Sequence, residues 1–346
     1  MTVEQPMQLY INGPSHCVAK PHNTAPPRPT EAQSQIDHWL NTGKRFFPRE
    51  TIRAIHDQLR VPLSKGDKIL VKALDGAVIA FEVRTGHTRE IGRQPETIGK
   101  PFIRYISYES LRAGRGGGIE RPHLVYCTMI IQHAATTGPP PNIPRRSIND
   151  IHHTLSTARH IWEESAVWAQ IKTTFLSARA PTNITKIIGF ACGTMSYPDE
   201  VPGSSYNSIF QHAFLVSIQH LLQDKSRSNE QIPCSVQDPA YADGDRAVLP
   251  AWGINVLDDP QGFLEINDDT LVFSSAPDIP VKQIVVDVAR PAVIIWDRVE
   301  DGASGGTDPD SPRVRQVMAR FYQALEFPIE EHFGDMVIYV RKWDIG

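Results

Sequence analysis

The chain has 346 residues, 35 Lys and Arg against 39 Asp and Glu, a formal net charge of −4 and 40% hydrophobic residues. That length and apolar fraction suit a globular chain with a sizeable core, either one large domain or a domain with an N-terminal extension. No run of eighteen apolar residues occurs, which excludes a helical membrane span, residues 1–20 lack a charged-then-apolar leader pattern, and the charge gives no overall pull toward nucleic acid.

Residues 1–30 hold six prolines and no periodicity, and read as an irregular arm. A helix is predicted over Pro48–Leu59, where Ile52, Ile55 and Leu59 recur at helical spacing. Two β-rich runs, 68–74 and 78–83, flank Asp75-Gly76 and predict a hairpin whose two central residues both take positive φ. Gly116-Gly117-Gly118 after Arg115 lacks a P-loop's flanking strand and helix and reads as a surface loop. A strand is expected over His123–Ile131, and Gly138 to Pro141 marks the best internal boundary. The domain reading is therefore an arm over 1–30, an α+β region over 31–146 packed on the core, and an α/β domain over 147–346.

One helix is predicted over Ser147–Ser177. From Lys186 onward, short apolar runs alternate with helical patterns. Strands are expected at 187–191, 234–237, 254–257, 270–274, 292–296 and 336–340. Helices are expected at 209–222, 243–252, 281–289 and 314–325, with Trp343 packed beside the last strand. Continuous apolar strands joined by helices imply a mostly parallel, Rossmann-like sheet covered on both faces.

In such a sheet the chemistry lies beyond the carboxyl ends of the strands. After the first strand come Cys192, Gly193, Thr194 and Ser196. After the second come Asp238 and Tyr241, after the third Asp258 and Asp259, after the fourth Ser274, Ser275 and Asp278, after the fifth Asp297. Each aspartate is also good turn and cap chemistry. Adjacent residues at a strand end point opposite ways, so only one of Asp258 and Asp259 is expected to face a site. Glu265 is a further candidate acid, and Gln211 a candidate ligand contact. Cys192 and Ser196 are the candidate nucleophiles, yet no histidine lies in their loop, and buried cysteine is commonly inert. His212 reads as a helix-surface histidine. The four cysteines, Cys17, Cys127, Cys192 and Cys234, lie far apart without a CxxC pair. That favours a reducing, cytoplasmic compartment over a disulfide framework or a zinc site. The G-x-G-x-x-G fingerprint is absent, which removes the inference to a dinucleotide; no cofactor or metal is expected.

The ordered segments 188–195, 210–213, 237–241, 258–265, 279–284 and 289–296 resemble the SRR1-like domain family, in particular its fungal members. The segment 121–126 resembles the N-terminal part of those fungal members. Two departures stand out. The loop after the first strand reads Ala191-Cys192-Gly193-Thr194 where the wider family is closer to Gly-x-Gly-Ser. Ser275-Ala276-Pro277 stands where the wider family has a Pro-His pair. The resemblance implies the fold more firmly than an activity, since members are linked to circadian, haem and cytoskeletal signalling without an agreed reaction.

The fungal resemblance suggests a relation to arginine-containing cyclodipeptide synthases of secondary metabolism, transferases that couple aminoacyl groups taken from tRNA. On that reading Ser196 or Cys192 accepts the first aminoacyl group and Asp238, Asp258 or Glu265 moves protons. Gly193, Thr194, Gln211, Tyr241, Asp259, Ser274, Ser275 and Asp297 line the substrate. Arg112, Arg115, Arg145 and Arg146, with Arg104 and Arg121 nearby in sequence, are the basic residues available for a tRNA backbone. The alternative is a non-catalytic regulatory protein holding a small ligand at the same edge, favoured by the missing histidine.

Overall fold

The computed structural model describes residues 18–19, 29–86, 88–91, 94–114, 122–137, 144–177, 184–198, 206–225, 231–302 and 306–342. The proline-rich arm apart from 18–19 and 29–30, Arg115 to Arg121 with its glycine triplet, the Gly138–Pro141 boundary and Trp343 lie outside those residues.

The N-terminal region contains β1 (Val18–Ala19), α1 (Pro29–Asn41), α2 (Arg49–Leu59), β2 (Lys68–Lys72), β3 (Val78–Glu82), β4 (Thr88–Ile91), β5 (Gln94–Tyr105), α3 (Tyr108–Arg112) and β6 (Met129–Thr137). These strands make two small sheets, β1-β3-β2 and β4-β5-β6. The 68–82 hairpin forms as expected, antiparallel from Lys68 opposite Glu82 to Lys72 opposite Val78. Its turn differs from the expectation. Gly76 N–H bonds Ala73 C=O at 3.0 Å and Ala73 N–H bonds Ala77 C=O at 2.8 Å. Only Gly76, at φ 91°, takes a positive φ there. This is a turn closed by a glycine bulge, which needs one left-handed residue rather than two. The expected 123–131 strand begins only at Met129 and runs to Thr137 opposite β5. Sequence periodicity had revealed neither β5 nor α1.

The second half comprises α4 (Ile148–Glu164), α5 (Ala166–Leu176), β7 (Lys186–Phe190), α6 (Tyr206–Lys225), β8 (Cys234–Gln237), α7 (Asp243–Val248), β9 (Ile254–Val256), α8 (Gln261–Glu265), β10 (Thr270–Ser274), α9 (Val281–Val288), β11 (Val293–Asp297), α10 (Pro312–Phe321), β12 (Tyr322–Glu326) and β13 (Met336–Arg341). The predicted single helix over 147–177 is two. Ser165 takes an extended backbone at ψ 148° and caps the second helix, its hydroxyl accepting from Trp168 N–H at 3.0 Å. The predicted 314–325 helix also divides, because the chain turns extended at Tyr322 and pairs with β13.

One seven-stranded sheet results, in the order β12-β13-β11-β10-β7-β8-β9. The five strands from β9 to β11 are parallel, and β13 runs antiparallel to β11. This is the Rossmann-like α/β sheet expected from the alternation of strands and helices. Alternate residues feed two cores. Ile187, Leu271, Phe273, Val293 and Ile295 pack under α4, α5 and α6. Ile188, Phe190, Val272, Ile294 and Trp296 pack with α8, α9, α10 and the N-terminal region. That period of two is what a strand buried on both faces requires.

The N-terminal region is tied to the sheet by polar bonds as well. Asp287 on α9 accepts from the backbone N–H of Phe46 at 2.6 Å and of Phe47 at 3.0 Å, and pairs with Arg313 at 2.7 Å. Asp287 is 4% exposed, so this buried carboxylate is fully partnered.

Candidate functional site

From β7 the chain moves outward to β8 and β9, then returns to β10 and β11 on the other side. The order therefore reverses between β7 and β10. Such a switch point is where ligands bind in open α/β sheets, beyond the carboxyl ends of the strands. Among the described residues, the two non-glycine residues with positive φ are Ala191, at 53°, and Ala276, at 44°. One follows β7 by a single residue and the other follows β10 by two. Left-handed alanine costs about 1–2 kcal/mol each, and both strained positions flank the switch point.

The β7 loop is held from below by two aspartates. Asp238, just after β8, accepts from Gly193 N–H at 2.7 Å and Ala240 N–H at 2.8 Å. Burial pushes its carboxyl up from the ordinary range, and those two N–H donors oppose the shift. Asp245, in the first turn of α7, is fully buried. It accepts from the Thr194 hydroxyl, Met195 N–H at 2.8 Å, the Ser196 hydroxyl at 3.0 Å and Ala242 N–H at 2.8 Å. Arg146 closes the loop from outside, donating to the carbonyls of Met195 at 3.1 Å and Tyr197 at 2.6 Å. Gly193, at φ 68°, has no room for a side chain, since a Cβ there would stand 2.2 Å from Ser208 Oγ.

The nucleophile assignments find no support in this geometry. Ser196 is 1% exposed and its hydroxyl is spent on Asp245. Cys192 is 1% exposed, and burial pushes its thiol well above the usual range, with Asp238 adding to the shift. His212 is not on the surface: it is fully buried, bridging Ser208 C=O from Nδ1 at 2.6 Å and the Tyr241 hydroxyl from Nε2 at 2.8 Å. Burial lowers its pKa, so it is a neutral structural link. Tyr241 is spent on that link.

Across the switch point, Gln211 on α6 donates from Nε2 to Ser275 Oγ at 3.0 Å. Its Oε1 and the Ser274 hydroxyl are buried and make no hydrogen bond among the described residues. Ser274 and Ser275 belong to opposite faces, because Phe273 and Ser275 turn toward α6 while Val272 and Ser274 turn toward α9. At the end of β11, Asp297 has its carboxyl raised by burial, offset by Lys282 and by the Ala276 N–H. Lys282, at the start of α9, pairs with Asp310 at 2.8 Å, and its N–H bonds Asp308 at 3.0 Å. Burial raises the Asp308 carboxyl well above the ordinary range.

The two adjacent acids do divide. Asp258 is 83% exposed and pairs with Arg246 at 3.1 Å. Asp259 turns inward, accepting from the Tyr105 hydroxyl at 2.8 Å and Gln237 Nε2 at 2.9 Å. Burial pushes its pKa up to about 7, against those two donors. Asp259 is thus a link to the N-terminal region. Glu265 lies at the opposite edge: its carbonyl meets Lys186, the first residue of β7, and its carboxylate accepts from Gln261. It is separated from the carboxyl-edge residues by the length of the strands.

The described arginines lie on separate elements. Arg112 pairs with Asp37 at 2.9 Å on the N-terminal region, Arg104 lies on β5, and Arg145 covers the Tyr197 ring beside the β7 loop at 5.7 Å. Arg115 and Arg121 lie outside the described residues. Sequence reading missed Asp245, Gln237, Lys282 and Asp308. Asp245 sits in Ala242-Asp243-Gly244-Asp245, which looks like an ordinary helix start, and no local signal marks partners 49 to 51 residues away.

Residues 158–340, more than half of the chain, match the SRR1 domain. No curated protein matches. Among solved structures, the crystal structure of Thermoplasma acidophilum 1320 is similar at 11% identity over 58% of this chain and 99% of that one, with a TM-score of 0.28. Likeness at that level supports no inference about site or activity. On the strength of the domain match, the chain belongs to the SRR1 domain family.

Proposed function

We propose that this SRR1 domain protein binds a small polar molecule at the β7–β10 switch point, and that the molecule carries an amino or guanidinium group. The observation that carries this reading is the pair of strained alanines, Ala191 and Ala276, on either side of the switch point. The chemistry of the surrounding groups supports a donor-bearing ligand. Among the described residues Gln211 Oε1 is an acceptor without a donor, and Asp297 is a half-buried carboxylate. Thermal unfolding in the presence of arginine, agmatine and other free amines tests it. A rise in Tm that is lost in Asp297→Asn and Gln211→Leu is the expected result. No shift with any amine, or a shift indifferent to both substitutions, refutes it.

A second reading makes the protein a fungal secondary-metabolism enzyme, a tRNA-dependent cyclodipeptide synthase. Arg145 and Arg146 beside the β7 loop favour it, since a tRNA end approaching the switch point would pass them. The buried, hydrogen-bonded Ser196 and Cys192 argue against a covalent aminoacyl intermediate on either. Asp238 and Asp297, both with raised carboxyls, remain the groups suited to proton transfer. Expression in bacteria followed by mass spectrometry for new diketopiperazines decides this version; their absence leaves the ligand-binding reading alone.

A further inference from the structure

The connection from β10 to α9 borders the switch point and carries the strained Ala276. Three contacts hold it. Ala276 N–H faces the Asp297 carboxylate at the end of β11. The Thr307 hydroxyl donates to Pro277 C=O at 2.5 Å. Lys282 N–H, in the first turn of α9, donates to Asp308 Oδ1 at 3.0 Å. The connection is therefore bracketed by Asp297 and by the 307–310 segment.

Alternation along the strands assigns the polar groups to two sides. Phe273 and Ile295 turn toward α6, so Ser275 and Asp297, two residues on from each, take that side with Gln211. Val272 and Ile294 turn toward α9, so Ser274 takes the side of α9, whose first turn holds Asp308. Each side has a buried oxygen that makes no hydrogen bond among the described residues. On the α6 side it is Gln211 Oε1, in a residue 6% exposed. On the α9 side there are two, Ser274 Oγ, in a residue 1% exposed, and Asp308 Oδ2. Leaving such a group unpartnered costs about 1–3 kcal/mol, so oxygens of this kind on both sides of one strand end call for a donor.

Charge divides in the same way. Lys282 Nζ pairs with Asp310 at 2.8 Å, and both side chains are buried. That ammonium is thereby committed, and neither Asp297 nor Asp308 forms an ion pair among the described residues. Burial raises both carboxyls, and Asp297 adds to the shift at Asp308. One uncompensated acid thus stands on each side of the end of β10.

We propose, resting on the amine-binding reading above, that the ligand is a linear aliphatic diamine whose two ammonium groups straddle the end of β10. The first ammonium donates to Gln211 Oε1 and Asp297. The second donates to Ser274 Oγ and Asp308 Oδ2. Charge-assisted bonds of this kind are the strong ones, and each neutralises a carboxylate that burial disfavours.

Calorimetric titration of the full chain with putrescine, cadaverine and butylamine tests the second ammonium. The expected result is one equivalent of a diamine, bound about tenfold or more tightly than butylamine. Ser274→Ala and Asp308→Asn should each cut that advantage to about threefold or less. Neither change removes a hydrogen bond. Ser274→Ala deletes a hydroxyl that makes none among the described residues and should leave Tm unchanged or raise it, while Asp308→Asn keeps an oxygen for the Lys282 N–H. Equal affinity for butylamine and the diamines overturns the two-ended ligand and leaves the amine reading standing. A diamine advantage that survives both substitutions also overturns it, since the second ammonium then sits elsewhere. Binding of no amine at all overturns both.

Discussion

The Ser196 hydroxyl donates to Asp245 across 3.0 Å, 49 residues along the chain, inside a core from which both side chains are almost wholly closed off. The bond makes Ser196 part of a staple that fixes the β7 loop onto α7. Asp245→Ala should therefore be the most damaging single change at this edge. It leaves two hydroxyls and two N–H groups without their acceptor, a loss of about 3 kcal/mol or more. Ser196→Ala removes one bond and should lower unfolding free energy by about 1 kcal/mol. Urea denaturation measures both. A Ser196→Ala protein that keeps full stability but loses a ligand or product would restore Ser196 as a chemical group.

Gly193→Ala should be strongly destabilising, by roughly 2–4 kcal/mol, because the φ of 68° and the 2.2 Å approach to Ser208 Oγ act together. Adding Ser208→Gly removes the collision but not the backbone penalty, so the double variant should recover only part of the loss. Full recovery would show that the left-handed conformation there is not strained for alanine.

Ala191→Gly and Ala276→Gly should each leave stability unchanged or raise it by up to about 1 kcal/mol, the gain in the left-handed region being offset by the freer unfolded chain. The same substitutions should weaken binding of the amine at the switch point, because the loops lose their preset shape. Chemical denaturation and thermal shift together read the two effects. Destabilisation by more than 1 kcal/mol would mean that the alanine methyl groups pack rather than strain.

Asp259 sets a pH dependence. Its pKa is pushed up to about 7 by burial, whereas in the unfolded chain it lies near 4. Between those values the folded protein binds the proton and the unfolded chain does not, so stability is highest below the unfolded pKa and declines as pH rises toward 7. Asp259→Asn keeps an acceptor for Tyr105 and Gln237 and abolishes the titration. The variant should flatten the stability profile between pH 4 and pH 7, gaining on the parent by about 4 kcal/mol at pH 8, three pKa units at about 1.4 kcal/mol each. A parallel pair of profiles would show that the carboxylate is well solvated.

Cys127, Cys192 and Cys234 are all buried, and the Cys234 thiol is pushed up to about 12 by burial. At pH 8 none of the three should react with a thiol reagent until the protein is unfolded. Rapid labelling of Cys192 in the native protein would revive its claim as a nucleophile.

Much of this architecture was legible in the order of residues. The apolar runs at 187–190, 271–273 and 293–296 have no polar member to face water, which is the mark of a strand covered on both sides. Their alternation with helical periods fixed the parallel sheet, and the polar groups beyond each strand marked the carboxyl edge. The long strand β5 escaped because Gly99, Lys100 and Pro101 interrupt its pattern, and its pairing with β6 shifts register at that point. The end of α10 at Tyr322 is likewise set by pairing with β13, a partner no local pattern contains.

The roles of individual groups were decided only in three dimensions. Asp258 and Asp259 are neighbours of equal chemistry, yet one faces water with Arg246 and the other faces Tyr105, 154 residues earlier. Ser196 looks like a nucleophile until Asp245 takes its proton bond, and Glu265 looks like an edge acid until α8 carries it to the far end of the strands. Hydrophobic period is a local property and survives in the sequence. Burial and hydrogen-bond partnership are pairwise properties between distant residues, and they exist only once the sheet has brought those residues together.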